Sequence, residues 1–172
     1  MNIDQLCQPI RLILSDVDGV LTDGRVIFDN AGIESKRFHI RDGQGIRLWQ
    51  KAGYEFGVIT SRSSHIVNLR AAELNVELVR QGVQDKRSEV EAVARALDLS
   101  LEQVCYLGDD LLDLQAISSV GLGVSVADGC AEARQAAAHV TQARGGEGAL
   151  REVVETVLKA QRRWDDLLQA YR

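Results

Sequence analysis

The stretch Leu12–Leu21, LILSDVDGVL, constrains this chain more than any other, because an apolar run stops abruptly at two aspartates, Asp16 and Asp18, with Gly19 behind them. An unbroken apolar run suits a strand buried on both faces, and such strands belong to parallel sheets covered by helices. The C-terminal ends of those strands open onto the crevice where α/β proteins place their ligands. Two carboxylates one residue apart at that edge can both reach a metal ion and a phosphate.

The rest of the chain repeats the theme. Strand-like runs at Arg11–Asp16, Glu55–Thr60, Val76–Val79, Val104–Gly108 and Leu122–Val126 alternate with helical patterns at Gly45–Ala52, Ser64–Leu74, Lys86–Leu97, Leu111–Ser118 and Ala131–Ala137. That alternation predicts right-handed βαβ crossovers and an α/β fold with a parallel sheet covered on both faces. Gly24–Phe38 departs from it: two short strand-like runs flank Asp29-Asn30-Ala31-Gly32, the pattern of a β-hairpin. From Glu147 onward, Leu150, Val153, Val157, Trp164, Leu168 and Tyr171 recur at helical steps, which predicts one long amphipathic helix. Its early stripe suits packing on the sheet, whereas Trp164–Tyr171 suit either that sheet or a partner subunit.

At 172 residues the chain is expected to form one domain over 1–172. A net charge of −5 without a basic stripe argues against nucleic acid as a partner. No apolar run approaches the roughly 20 residues needed to span a bilayer, and MNIDQLCQPI has no basic region followed by an apolar core, so neither membrane anchor nor signal peptide is expected. Cys7, Cys105 and Cys130 are odd in number and form no CxxC, as in a reduced cytoplasm. His39, His65 and His139 lack metal-ligand spacing and are read as non-catalytic, and Trp49 as a core residue.

Four elements fit one reaction: Asp16-Val17-Asp18-Gly19; Ile59-Thr60-Ser61-Arg62, an apolar strand ending in hydroxyls; Lys86 at a helix start; and Gly108-Asp109-Asp110, followed by Asp113. A carboxylate attacking a phosphate monoester meets like charge, about 4 kcal/mol per unit pair at ~4 Å with an effective dielectric of 20. A lysine and Mg²⁺, which prefers hard oxygen ligands, offset that repulsion. Asp16 is therefore assigned as nucleophile and metal ligand, Asp109 as a second ligand, and the Asp18 backbone carbonyl as a third. The Asp18 side chain suits general acid and base work, Thr60 and the Ser61 N–H a phosphoryl oxygen, and Lys86 the charge of an aspartyl phosphate. Asp110 and Asp113 are placed behind the metal ligands. Each motif alone is weak, since exposed aspartates commonly cap helices and most lysines are solvated; the ordered conjunction is what carries the reading.

The ordered set DVDGVLTDG (Asp16–Gly24), ITSR (Ile59–Arg62), Lys86 and GDDLLD (Gly108–Asp113) resembles the haloacid-dehalogenase-like phosphatases over almost the whole chain. FHIRDGQGIRLW (Phe38–Trp49), QGVQDK (Gln81–Lys86) and RGGEGALREV (Arg144–Val153) resemble, within them, the family acting on 3-deoxy-D-manno-octulosonate (KDO) 8-phosphate. The resemblance implies a Rossmann-like sheet, Mg²⁺ dependence, a cytoplasmic homotetramer, and hydrolysis of that sugar-acid phosphate on the way to lipopolysaccharide. A related branch acting on nine-carbon nonulosonate 9-phosphates shares nearly all of these motifs; Arg62, able to pair with a substrate carboxylate, leans towards the eight-carbon branch. One departure is Ser61, where the family usually carries glycine.

Only 41 residues separate Asp18 from Thr60, too few for a cap domain beside the hairpin and a helix. An open strand-edge site excludes water poorly, so a neighbouring subunit is expected to supply a wall, with Val26, Ile27, Phe28 and Ile33 of the 24–38 hairpin buried between copies. Arg144-Gly145-Gly146 opens the 144–172 loop and helix and is read either as a link or as a mobile segment closing the site. Arg62, Arg70 and Arg144 are candidates for the sugar-acid carboxylate, and Asp42, Gly43 and Gly45 for a turn and helix start near the substrate. A phospho-accepting receiver domain, the alternative from another class, fails on order: its paired acids precede the threonine and lysine, whereas Asp109-Asp110 follow both.

Overall fold

Leu12, Ile13, Leu14 and Ser15 are all fully buried, and this segment forms β1 (Leu12–Ser15) at the centre of a six-stranded sheet. The computed structural model describes residues 2–171; Met1 and Arg172, the ends of the expected domain, lie outside the described residues. In chain order the elements are α1 (Ile3–Cys7), β1, β2 (Ile27–Phe28), β3 (Glu34–Ser35), α2 (Ile40–Lys51), β4 (Glu55–Ile59), α3 (His65–Glu73), β5 (Leu78–Arg80), α4 (Lys86–Ala96), β6 (Val104–Gly108), α5 (Leu114–Ser119), β7 (Leu122–Ser125), α6 (Ala131–Ala136), β8 (His139–Val140), α7 (Ala149–Ala160) and α8 (Trp164–Leu168). The main sheet runs β5-β4-β1-β6-β7-β8 with every neighbouring pair parallel.

Side-chain alternation along β1 divides the core. Ile13 faces a layer containing Ile46 and Trp49 of α2 with Leu150, Val153 and Val157 of α7. Leu12 and Leu14 face the opposite layer, with Val90 and Val93 of α4, Ile117 of α5 and Ala133 of α6. At roughly 1.5–3 kcal/mol for each large side chain taken out of water, these two layers dominate the fold's stability. The expected alternation is thus present, with α1 and β8 as short additions.

The long C-terminal helix is a correction. Helix α7 ends at Ala160, Arg162 takes a left-handed φ of 58°, and α8 starts afresh at Trp164. The break comes where α1 needs a partner: the Gln161 amide donates to Cys7 O at 2.8 Å and Ile10 O at 2.9 Å, and Gln8 donates to Ala160 O at 2.7 Å. Beyond the break the chain folds back on its own subunit. Trp164 lies beneath the cations of Arg151 and Lys159, and Tyr171 accepts a bond from Gln44.

Asp42, Gly43 and Gly45 lie at a helix start, as expected, but form no separate turn. They sit inside α2, which starts at Ile40 because His39 Nδ1 accepts from Arg41 N at its N-terminus. The glycines permit close packing: a Cβ at Gly43 would come within 2.4 Å of Arg70 Nη2, and one at Gly45 within 3.2 Å of the Arg151 Cα. Asp42 is buried and accepts from Arg151 N at 2.9 Å, giving α7 a cap from another helix where its own N-cap, Gly148, has no side chain to offer. Asp42→Ala should therefore lower stability by about 1 kcal/mol in urea unfolding, while Asp42→Asn, which keeps an acceptor oxygen, should stay close to the parent.

Candidate active site

The C-terminal edge of the sheet gathers the chemistry. Asp16 follows β1, Thr60 follows β4, Lys86 opens α4 after β5, and Asp109 follows β6. Lys86 is buried, and its ammonium donates to Asp16 Oδ2 at 2.5 Å and to Asp113 Oδ1 at 2.6 Å. Asp113 is saturated: Oδ1 also accepts from the Tyr106 hydroxyl at 2.7 Å, and Oδ2 accepts from the backbone N–H groups of Asp109 and Asp110 at 3.0 and 3.1 Å. Asp16 Oδ1 accepts from Val17 N at 2.6 Å. Asp109 differs, because its buried Oδ1 has no hydrogen-bond partner.

Asp16, Asp109 and Asp113 bring carboxylate oxygens within 4.8 Å of one another, and within this cluster only Lys86 opposes their charge. Burial and then the Asp113 charge raise the pKa of Asp16. Burial, followed by Asp16 and Asp113, pushes Asp109 up to about 8. Burial alone would lower the Lys86 pKa, but Asp16 and Asp113 outweigh it and hold the ammonium protonated. An excess of carboxylates with one orphaned oxygen is the donor set that a hard divalent cation fits. Since Asp113 is fully hydrogen-bonded, Asp16 and Asp109 are the carboxylates left to hold such an ion.

The backbone after β1 wraps over Asp109. Gly19 adopts φ +93°, and a Cβ there would lie 2.0 Å from Asp109 Oδ2, so only glycine fits. Val17 O accepts from Leu21 N and Thr22 N at 2.9 and 3.1 Å, closing the loop on itself.

Comparison with known proteins places this geometry in context. A model of the haloacid dehalogenase-like hydrolases matches residues 64–152. The 3-deoxy-D-manno-octulosonate 8-phosphate phosphatase of Yersinia pestis is 39% identical over 160 residues, spanning 93% of this chain and 86% of that one. A crystal structure of the corresponding phosphatase from Moraxella catarrhalis, described as a complex with magnesium, phosphate and KDO, superposes with a TM-score of 0.97 at 38% identity, covering 99% of this chain and 98% of that one. The chain belongs to this phosphatase family. A probable phosphatase of the YrbI family from Pseudomonas syringae is similar too, at 43% identity and a TM-score of 0.96, covering 98% and 96% of the two chains.

The expected site residues separate into three groups. Asp16, Lys86, Asp109 and Asp113 come together, with Thr60 buried at the adjoining strand end and Asp110 capping the turn at Leu111–Asp113. Asp18 and Arg62 meet at the mouth, Arg62 Nη1 lying 3.8 Å from Asp18 Oδ2, and the Ser61 hydroxyl is buried without a partner. Arg70 is turned away, paired with Glu73 at 2.7 Å and stacked 5.8 Å from the Phe38 ring. The 144–146 segment does not arch over the mouth. Gly146 N donates to Val20 O at 2.9 Å, and a Cβ at Gly145 would fall 1.8 Å from Gly19 O, so the glycines are packed under the loop that follows Asp16. Asp128 holds them there, accepting from Gly145 N at 2.9 Å and Arg144 Nε at 3.2 Å.

Three participants escaped sequence reasoning. Tyr106 lies in the apolar run VCYLG, but a buried phenol needs a hydrogen-bond partner, and it finds one in Asp113, seven residues on. Glu34 and Lys36 lie on the hairpin, whose apolar residues by themselves suggest only an assembly device. Lys36 is buried and ion-paired with Asp18 Oδ1, and Glu34 accepts from Arg62 Nη2 at 2.9 Å.

The raised carboxyls make stability depend on pH. Unfolded aspartate titrates near ~3.9, so between about pH 4 and about pH 8 the folded protein binds more protons than the unfolded chain, and stability falls as pH rises through that window. Without divalent metal the melting temperature should decline from about pH 5 to about pH 8. Asp109→Asn should flatten the decline, and an unchanged slope in that variant would remove Asp109 as its source.

Proposed function

We propose that this chain is a Mg²⁺-dependent phosphatase that hydrolyses KDO 8-phosphate to KDO and inorganic phosphate. The observation that carries the reading is the orphaned Asp109 carboxylate beside Asp16 and Lys86 at the strand edge, in a chain 38% identical to a phosphatase described with magnesium, phosphate and KDO.

An Asp16 carboxylate oxygen attacks the phosphorus as the bond to the sugar oxygen breaks, which leaves an acyl phosphate on Asp16. Asp18 delivers a proton to the leaving oxygen. In the second half Asp18 takes a proton from water, whose oxygen attacks the phosphorus, frees Asp16 and yields phosphate. Lys86, 2.5 Å from Asp16, offsets the charge of nucleophile and phosphoryl group throughout. Asp113, tied to Tyr106 and two backbone amides, fixes where that ammonium stands. Thr60 and the Ser61 N–H are suited to a phosphoryl oxygen. Asp16, Asp109 and the Asp18 carbonyl would hold Mg²⁺, which when bound supplies Lewis-acid polarisation and further charge neutralisation.

Arg62, at the mouth, is the proposed partner of the sugar-acid carboxylate, with Arg70 and Arg144 reaching it only through rearrangement or from another copy. A homotetramer is proposed because the hairpin leaves Val26, Phe28 and Ile33 more than half exposed, at 56%, 57% and 63%. The cytoplasm is proposed as the compartment, in keeping with free Cys7, Cys105 and Cys130, and the pathway to lipopolysaccharide as the setting. Among the described residues no helix is long and apolar enough to cross a membrane.

The test is phosphate release, with and without Mg²⁺, from KDO 8-phosphate, a nonulosonate 9-phosphate and p-nitrophenyl phosphate in parallel. Metal-dependent release with strong preference for KDO 8-phosphate is expected; preference for the nine-carbon acid moves the substrate, and no metal-dependent release refutes the assignment. Asp16→Asn should cut turnover by roughly a thousandfold or more while leaving the fold intact.

A further inference from the structure

The hairpin reaches into its own active site through two side chains. Glu34 and Lys36 are two residues apart, so they point to the same side of the strand, while Ile33 and Ser35 face outward. The inward pair closes a ring of alternating charge with Asp18 and Arg62. Lys36 pairs with Asp18 and lies 3.4 Å from Glu34 Oε1; Glu34 Oε1 accepts from Arg62 Nη2 at 2.9 Å; Arg62 Nη1 returns to Asp18 at 3.8 Å.

A second contact anchors the ring. Glu34 Oε2 accepts from the Ser64 hydroxyl at 2.6 Å. Ser64 occupies the N-cap of α3, where a serine hydroxyl ordinarily accepts a bond from the helix's own first turn. Here it makes no such bond. The helix forgoes its side-chain cap, and the hydroxyl is committed to the hairpin carboxylate instead.

We propose that Glu34 is a positioning residue for substrate recognition: by fixing one edge of the Arg62 guanidinium it aims the other at the substrate's carboxylate, so that the hairpin sets preference for the sugar acid. This rests on the assignment of a sugar-acid phosphate as substrate. Arg62 is 40% exposed and Glu34 only 17%, so the carboxylate is the fixed member of the pair and the guanidinium the member presented to ligand. A guanidinium held in advance loses less freedom on binding than one released to solvent.

Steady-state kinetics on Glu34→Gln, with KDO 8-phosphate and p-nitrophenyl phosphate, test this. The ratio of kcat/KM on the sugar acid to kcat/KM on the small ester should fall roughly ten- to hundredfold, mainly through KM, as expected for loss of a charge-assisted bond. In an Arg62→Met background the same substitution should cause no further fall. Ser64→Ala, which frees the other oxygen of Glu34, should lower the ratio in the same direction and by less; it also serves should Glu34→Gln fail to fold. Equal losses on both esters, or an additive loss in the Arg62→Met background, would overturn the proposal. A wild-type protein with no preference for the sugar acid sinks the substrate assignment and this inference together; a wild-type protein with that preference and a variant that keeps it sinks this one alone.

Discussion

The ammonium of Lys86, buried between Asp16 and Asp113, is the interaction on which the site depends. Three carboxylates crowded at the end of a parallel sheet repel one another, and taking ions out of water costs several kcal/mol each even after relaxation, by rough estimate. The cluster tolerates this because its members are satisfied unequally. Asp113 accepts four hydrogen bonds and is locked. Asp16 accepts two, and Asp109 Oδ1 none. Unsatisfied capacity is therefore concentrated on the residues proposed to meet metal and phosphorus, and withheld from the one proposed to position the lysine. Were all three equally bonded, the cluster would be more stable and would have nothing left to bind with.

How this arrangement was legible follows from its origin. Strand ends are written as apolar runs that stop, so Asp16, Thr60 and Asp109 could be placed at one edge without coordinates. Lys86 was found because a helix N-terminus following a strand points back to that edge. The residues that sequence missed are those whose partners are distant along the chain. Asp42 looked like a turn residue because DGQG reads as a turn; burial against α7, more than a hundred positions later, makes it a helix cap. The break at Arg162 was invisible because heptad-like apolar spacing continues across it, while the cause, Gln161 bonding to α1, lies 154 residues away. Glu34 and Lys36 were hidden in another way: the apolar residues beside them supplied a sufficient account of the hairpin.

The C-terminal part of the chain acts on the chemistry by bracing it. Asp42 caps α7, α7 begins directly after Gly148, and Gly145 and Gly146 lie under Gly19–Thr22 with no room for a side chain. The loop so supported carries Gly19 across Asp109. The first step is a buried carboxylate cap and the last are close backbone approaches, so the support acts over short distances. A displacement of α7 would be felt at the Asp109 carboxylate without any side chain of α7 touching it.

The hairpin is the opposite kind of element. Two paired residues per strand bury too little to stand alone in water. Its order must come from what lies on its two sides. Inside are charges, Glu34 and Lys36, matched to Arg62, Ser64 and Asp18; outside are apolar side chains awaiting cover. Because alternation along a strand has period two, a slip of one residue would send the charges out and Ile33 in, so the two sets of contacts enforce the same register. Whatever covers the outer face thereby steadies the inner one. On the proposed function, assembly and substrate recognition become two consequences of one strand register, both carried by the 15 residues Gly24–Phe38.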